Sequence, residues 1–371
     1  MFYSLAAEYV QQLSPYQPGK PIDELERELG ISEIVKLASN ENPLGPSPLA
    51  TEAVNQALQQ LARYPDGNGF NLKQVLAAKL MLDTDQITLG NGSNELLELI
   101  ARAFLTPEHE VIFSQHAFAV YPIVTQAVGA TARIAPASDG SKWPRWGHDL
   151  DALASLVSPK TRVVFIANPN NPTGTYLPNI DLEQFISALP KKTLCVIDEA
   201  YFEYVDQPDY PDATLWLDKF PNLIVTRTFS KAYGLAGLRI GYALSNPEIA
   251  DLLNRVRQPF NNNHLALVAA ENAIVDTEHL AKSVSINQQG YKQLAGFVMN
   301  LQLEWIPSVA NFITINFKRE AMPIYQGLLQ RGVIVRPVAN YEMPDFLRVS
   351  IGTLEENQLF MKALTDTLAD V

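Results

Sequence analysis

Thr226-Arg227-Thr228-Phe229-Ser230-Lys231-Ala232-Tyr233-Gly234-Leu235-Ala236-Gly237-Leu238-Arg239 decides how this chain reads. A hydrophobic strand, Leu223 to Thr226, delivers Lys231 to a turn rich in hydroxyls and glycine, and Arg239 follows eight residues later. A lysine amine in water is protonated and a poor nucleophile. Set among hydroxyls and a fixed guanidinium, it stands next to a place for a phosphate and is poised for Schiff-base chemistry. A plain surface lysine at a strand end would have no use for those neighbours.

Outward from this stretch, apolar runs of strand length alternate with amphipathic helical stretches through the first two thirds of the chain. The expected strands are Gln86–Leu89, Glu110–Phe113, Thr131–Ala135, Arg162–Ala167, Thr193–Asp198, Leu223–Arg227 and Gly241–Ser245. Several are nearly continuous in Val, Ile and Phe, as strands covered on both faces are. The alternation implies an α/β fold with a mostly parallel seven-stranded sheet between helices. After about residue 258 the pattern changes. A long helical stretch, Leu265 to Leu294, precedes strands at Asn311–Phe317, Val333–Val338 and Phe346–Ile351 and helices at Pro323–Gln330 and Leu354–Leu368. These suggest a small α+β domain. The expected division is an arm over 1–45, punctuated by Pro15, Pro18, Pro21 and Pro43 and associated with the small domain, a large domain over 46–258, and the small domain over 259–371.

Composition bounds the function. With 371 residues and 47% apolar content the chain can bury two cores, and disorder is excluded. A net charge of −12 argues against nucleic acid or an anionic membrane as partner. The single cysteine, Cys195, lies in an apolar run and reads as a buried, inert thiol. The N-terminus lacks a basic region followed by a long apolar stretch, and no run approaches membrane-spanning length, so a cytoplasmic protein is expected. His109, His116, His148, His264 and His279 show no metal-ligand spacing, and no metal is expected. There is no Gly-x-Ser-x-Gly elbow and no His-Glu-x-x-His.

Residues 230–239, Ser-Lys-Ala-Tyr-Gly-Leu-Ala-Gly-Leu-Arg, resemble the lysine signature of the fold-type-I aminotransferases, which use pyridoxal 5′-phosphate (PLP). The resemblance implies that Lys231 carries the cofactor and then serves as the base that moves the substrate's α-proton. Asp198 ends an apolar strand in Val196-Ile197-Asp198-Glu199-Ala200-Tyr201. A carboxylate there needs a cation or strong hydrogen bonds, and a helix N-cap is the ordinary alternative. Beside the lysine signature, a pyridinium nitrogen is the partner it suits. Tyr201 could then donate to the ring's phenolate oxygen. Asn171, in Asn168-Pro169-Asn170-Asn171-Pro172-Thr173-Gly174, projects an amide from a loop stiffened by proline at a strand's carboxyl end. In the resembled family this Asn contacts the same oxygen. The turn Leu89-Gly90-Asn91-Gly92-Ser93-Asn94-Glu95 opens a helix near Ser93, so Gly92, Ser93 and Asn94 can offer backbone N–H groups to an anion. Thr228, Ser230 and Arg239 could supply the other half of that phosphate cup. By resemblance, Phe118 falls where an aromatic stacks on the cofactor ring; many relatives carry Tyr there. Tyr64, in Arg63-Tyr64-Pro65-Asp66-Gly67, falls where a tyrosine reaches the neighbouring subunit's cofactor phosphate, which implies a homodimer.

Arg336 and Arg348 each interrupt an apolar strand, and arginine in such a place wants an anion. Arg348 matches the family position for the substrate's α-carboxylate. One arginine suffices for a carboxylate, whereas a converging pair suits a phosphate dianion; pairing of Arg336 with Glu342 or Asp345 is the bland alternative. Within the family the nearest pattern is that of the histidinol-phosphate aminotransferases. It is carried by the arginine pair, by Arg63–Gly67, by Leu37-Ala38-Ser39-Asn40-Glu41-Asn42-Pro43-Leu44-Gly45 and by Ser14-Pro15-Tyr16-Gln17-Pro18-Gly19-Lys20-Pro21. It implies histidinol phosphate and 2-oxoglutarate as substrates, with Tyr16 as a contact from the arm. An aromatic amino-acid aminotransferase shares nearly every one of these motifs, and a threonine-phosphate decarboxylase shares the phosphate logic. A PLP-binding transcriptional regulator would need a DNA-binding domain, for which the arm is too short.

Overall fold

The computed structural model describes residues 2–16, 18–31 and 33–370, which leaves Gln17 of the Ser14–Pro21 motif outside it. The first strand, β1 (Val35–Lys36), belongs to the arm. β2 (Ile87–Gly90), β3 (Glu110–Ser114), β4 (Thr131–Ala135), β5 (Thr161–Ala167), β6 (Leu194–Asp198), β7 (Leu223–Thr228) and β8 (Gly241–Ser245) form one sheet in the order β2-β8-β7-β6-β5-β3-β4. The expected α/β architecture is present, and the strand ends differ from expectation by a residue at most.

Side chains alternate across this sheet, and both faces are covered. Ile112, Val164, Ile166, Cys195, Ile197 and Val225 pack to one side, where Leu72, Leu76, Leu182 and Leu267 from helices complete a core. Val111, Phe113, Val163, Phe165, Val196 and Ile224 pack to the other, against Leu96, Ile100, Tyr121 and Leu253. Each fully buried Leu, Ile or Val contributes about 1.5–3 kcal/mol of transfer free energy, so a continuous apolar strand is stable only when sandwiched in this way. Cys195 is one of these core residues and is fully buried.

The single antiparallel strand of this sheet positions the site. β3, β4, β5, β6 and β7 pair in parallel, while β8 runs antiparallel to both β7 and β2. The carboxyl ends of β2, β3, β5, β6 and β7 therefore lie along one edge, and so does the amino end of β8. Gly241 is paired with both Gly90 and Thr228, which puts Arg239, two residues earlier, between the turns that follow β2 and β7. A Cβ at Gly241 would press on the Ser93 nitrogen at 2.8 Å and the Arg227 carbonyl at 2.9 Å, so only glycine allows three strands to converge there.

The C-terminal third departs from expectation in two places. The long helical stretch is two helices, His264–Ala273 and Thr277–Asn300. Asp276 ends the first run and caps the second, its carboxylate accepting the His279 N–H at 3.0 Å. The run Val333–Val338 is likewise divided into β11 (Val333–Ile334) and β12 (Arg336–Pro337), after β9 (Glu304–Ile306) and β10 (Phe312–Asn316) and before β13 (Phe346–Ser350). β11 pairs in parallel with β1 of the arm, whereas β12 turns to the antiparallel sheet β12-β13-β10-β9. Pro337 has no N–H with which to extend a ladder. Leu294, Ile324, Leu328, Phe360 and Leu364 cover that sheet through Ile313, Ile315, Leu347 and Val349, and Leu37 of the arm joins the same cluster. Beyond β1 the arm threads between strands: the Leu37 N–H donates to the Ile334 carbonyl at 2.7 Å and the Ser350 N–H to the Leu37 carbonyl at 2.8 Å. That path carries Ala38, Ser39 and Asn40 to the edge of the large sheet.

Gly234 closes the lysine turn with φ +69°, and a Cβ there would collide with the Gly45 carbonyl. Gly234→Ala is expected to cost at least about 2 kcal/mol, from left-handed strain and the collision together. Gly237→Ala meets open space and has no positive φ, so its urea midpoint should stay near that of the parent. Equal midpoints for the two variants would refute the close approach at Gly234.

Candidate active site

Between the sheet edge, the arm and the β12-β13 hairpin lies a cavity lined by most of the residues that the sequence singles out. Ser93, Asn94, Phe118, Asn171 and Asp198 face it, with Tyr201, Thr228, Ser230, Lys231 and Arg239, and Tyr16, Arg336 and Arg348 close it from the arm and the hairpin. Gly92 stands directly behind. Its φ of +76° and missing side chain leave room for the Arg239 guanidinium, which a Cβ would strike. Tyr64 is not part of this cavity. It is 83% exposed and stacks on Phe260 at 4.7 Å between ring centroids.

Asp198 ends β6 and is buried. Thr226 Oγ1 donates to its Oδ1 and Tyr121 Oη to its Oδ2, each at 3.0 Å. Burial raises the carboxyl to about 6, against the pull of those hydrogen bonds. It is therefore mostly ionised at neutral pH, and a cationic partner in the cavity would hold it so. The Tyr121 ring, stacked on Phe165 at 4.8 Å, fixes the donor from below. Neither Tyr121 nor Thr226 was singled out in the sequence. The only signal each gives is its place on an element next to Asp198.

Lys231 follows β7. Its Nζ donates to the Ser39 carbonyl at 3.0 Å and stands 5.8 Å from the Tyr201 ring centroid. Burial, and after it the Arg348 guanidinium, lower the amine to about 7. The amine is therefore neutral and nucleophilic far more often near neutral pH than a solvated lysine would be.

At the far end, the helix Ser93–Phe104 begins at Gly92 with no side-chain cap, so its first N–H groups and its dipole face the cavity. Arg239, at φ +57°, donates from Nη1 to Ser230 Oγ and to the Ala236 carbonyl, each at 3.2 Å. Its position beside the helix start makes this end of the cavity an anion cradle.

The hairpin end holds two guanidiniums. Arg336 and Arg348 are Cα partners across β12 and β13. Arg348 Nη1 donates to Asn171 Oδ1 at 2.5 Å and Nη2 to the Ala38 carbonyl at 2.7 Å, while its Nε is buried with no hydrogen-bond partner among the described residues. The Arg336 guanidinium lies 5.7 Å from the Tyr16 ring centroid. Glu342 accepts from Gln115 Nε2 at 2.5 Å. Tyr341, also unnoticed in the sequence, lines the cavity beside the two arginines.

Residues 32–364 match the family model described as aminotransferase class I and II. The chain belongs to that family. Histidinol-phosphate aminotransferase 2 of Pseudomonas fluorescens is 57% identical to this aminotransferase over 370 residues, covering 99% of this chain and 98% of that one. Histidinol-phosphate aminotransferase 2 of Pseudomonas aeruginosa is likewise 57% identical, covering 99% of both chains. In three dimensions, the crystal structure of histidinol-phosphate aminotransferase from Sinorhizobium meliloti in complex with pyridoxal 5′-phosphate matches with a TM-score of 0.90 at 29% identity, covering 99% of this chain and 98% of that one. The cavity of this aminotransferase suits a flat heterocycle with a basic ring nitrogen at one end and a phosphate arm at the other. Asp198 would hold the first, Arg239, Ser230 and the Ser93 helix the second, and Lys231 would reach a carbonyl carbon between them. No helix among the described residues is long and apolar enough to cross a membrane, and no cluster of His, Cys, Asp or Glu among them could hold a metal.

Proposed function

We propose that this aminotransferase binds PLP at Lys231 and transaminates L-histidinol phosphate, with 2-oxoglutarate as the acceptor of the amino group. The observation that carries the substrate is the arginine pair: two guanidiniums opposed across one hairpin, one with a buried Nε that awaits an acceptor. An unsatisfied buried donor costs about 1–3 kcal/mol, and a phosphate dianion would satisfy it. The names of the relatives, at 57% identity over the whole chain, support the same substrate.

Bound PLP supplies an electron sink that acidifies the substrate's α-C–H. The chain's residues do the rest. Lys231 would hold the cofactor and, once displaced from it by the substrate amine, would carry the proton taken from the substrate's α-carbon. Asp198 keeps the ring nitrogen protonated. Asn171 and Tyr201 offer hydrogen bonds to the ring's phenolic oxygen, and Phe118 covers one ring face. Thr228, Ser230, Arg239 and the N–H groups from Gly92 to Asn94 hold the phosphate arm. Arg336 and Arg348 hold the substrate phosphate, and Tyr16 with the arm closes over it. This division of labour favours a boundary near residue 45 and another near 258, with the arm moving with the small domain. The test is single-turnover: of histidinol phosphate, phenylalanine and O-phosphothreonine, histidinol phosphate should bleach the visible band of the PLP-loaded protein fastest. A faster loss with phenylalanine would overturn the substrate, and release of carbon dioxide from O-phosphothreonine would overturn the reaction class.

The same reading calls for a homodimer with shared sites. Tyr64 and Phe260 form an exposed aromatic stack outside the cavity, the kind of surface a second copy covers. Tyr64 would reach across to the partner's cofactor phosphate. Mixing inactive Lys231→Ala and Tyr64→Ala proteins should restore activity, towards about a quarter of the wild-type sites at full random exchange, because each heterodimer then has one intact site of two. Failure to recover, with exchange verified by mass, would mean that each site is built from one chain.

A further inference from the structure

The arm crosses the cavity at Ser39 and Asn40, and Asn40 is engaged at every polar group. It is buried, with φ 56°. Its N–H donates to Ser350 Oγ at 2.8 Å, and its carbonyl accepts from Asn311 Nδ2 at 2.9 Å. The Ser350 hydroxyl oxygen is thus an acceptor on one side, and its single proton is free for Asn40 Oδ1 at 3.1 Å. With the Ser350 proton given to Oδ1, this ring orients the Asn40 amide. Its oxygen is turned to Ser350, and its nitrogen is left 2.8 Å from Tyr201 Oη.

An amide nitrogen can only donate. Tyr201 Oη therefore accepts from Asn40, and its own proton must point elsewhere. Tyr201 lines the cavity, which is the open direction. We propose that Asn40 is a positioning residue that sets the direction of the Tyr201 hydroxyl proton, so that the phenol donates into the cavity. The inference rests on the cofactor reading above, in which Tyr201 faces the ring's phenolic oxygen. Burial pushes the Tyr201 phenol up to about 12, opposed by Arg348 and by the Asn40 hydrogen bond, so the proton that Asn40 aims is present at any working pH. Ser350 is two residues beyond Arg348 on β13. The strand that carries an anion-binding arginine therefore also sets the donor at the opposite face of the site, through one asparagine.

Asn40→Gly tests this cleanly. Glycine accepts the positive φ without strain and keeps both backbone hydrogen bonds, so only the amide is lost. The first readout is the pH midpoint of the visible absorption band of the PLP-loaded protein. A donated hydrogen bond favours the charged form of the ring oxygen, so Tyr201→Phe should raise the midpoint. Asn40→Gly should raise it in the same direction, by roughly threefold to tenfold in proton affinity, and should add nothing in the Tyr201→Phe background. An equal shift in both backgrounds, or none beside an intact Tyr201, overturns the proposal. The second readout needs no cofactor. In protein labelled with ring-carbon-13 tyrosine, the Cζ resonance that Tyr201→Phe removes should move in Asn40→Gly; if it stays in place, the hydrogen bond is refuted. If PLP gives the wild type no visible band, the cofactor reading fails, and the resonance alone decides for or against Asn40. Should Asn40→Gly fail to fold, Ser350→Ala, which frees the amide to rotate, carries the same two measurements with a smaller expected shift.

Discussion

Lys231→Ala should lose transamination while remaining folded and still binding PLP. The loss expected from removing the base alone is on the order of 10²–10⁴-fold, and removal of the covalent attachment adds to it. Retained affinity follows from the rest of the cavity. Asp198, Asn171, Arg239, Ser230 and the helix start at Ser93 all face the same space without the amine. The variant should therefore bind PLP reversibly, lack the visible band of covalently held cofactor, and release PLP on dialysis. Wild-type turnover in Lys231→Ala would end the assignment. The parent gives a second, pH-resolved check. An amine attacks a carbonyl only when neutral, and burial beside Arg348 lowers Lys231 to about 7. The rate of covalent PLP capture by cofactor-free protein should rise as pH climbs through about 7 and then level off. A rate that keeps climbing towards pH 10, as for a solvated lysine, would show that the cavity does not lower the amine.

What the sequence revealed about this site was its local chemistry. Lys231, Asp198, Asn171, Arg239 and the Gly92 turn each end or follow an apolar run, and an α/β sheet gathers such ends on one edge. The one antiparallel strand of the large sheet was not legible, because Gly241–Ser245 has the same apolar pattern whichever way it runs; yet its direction is what brings Arg239 beside the turn after β2. The break at Asp276 was hidden because helical periodicity continues on both sides of it, and only the cap geometry shows the interruption. The groups that tune the site were the least visible. Tyr121 under Asp198, the Ser39 carbonyl on Lys231 and Asn40 on Tyr201 lie 77, 192 and 161 residues from their partners. Each is an ordinary residue type whose role comes entirely from where the fold puts it.

The largest specificity effect is expected at the arginine pair. A charge-assisted hydrogen bond to a phosphate contributes roughly 1.5–3 kcal/mol, so loss of one guanidinium should cost on the order of tenfold to a hundredfold in kcat/KM. The two arginines should not behave alike. Arg348 donates to Asn171 and to the Ala38 carbonyl besides presenting its free Nε. Arg348→Ala therefore removes a cation and also releases Asn171 from its fixed pose in the cavity, so every substrate should suffer, phenylalanine included. Arg336 sits opposite it on β12 with Tyr16 beyond, where a dianion gains from a second cation and a carboxylate already held by Arg348 gains less. Arg336→Ala should accordingly penalise histidinol phosphate strongly and leave residual activity on phenylalanine less affected, narrowing the preference between them. Steady-state kinetics of both variants with both substrates gives four ratios, and the argument stands on one of them. If Arg336→Ala lowers kcat/KM for histidinol phosphate and phenylalanine by the same factor, the pair is not reading the phosphate, and the substrate proposal loses the observation that carries it.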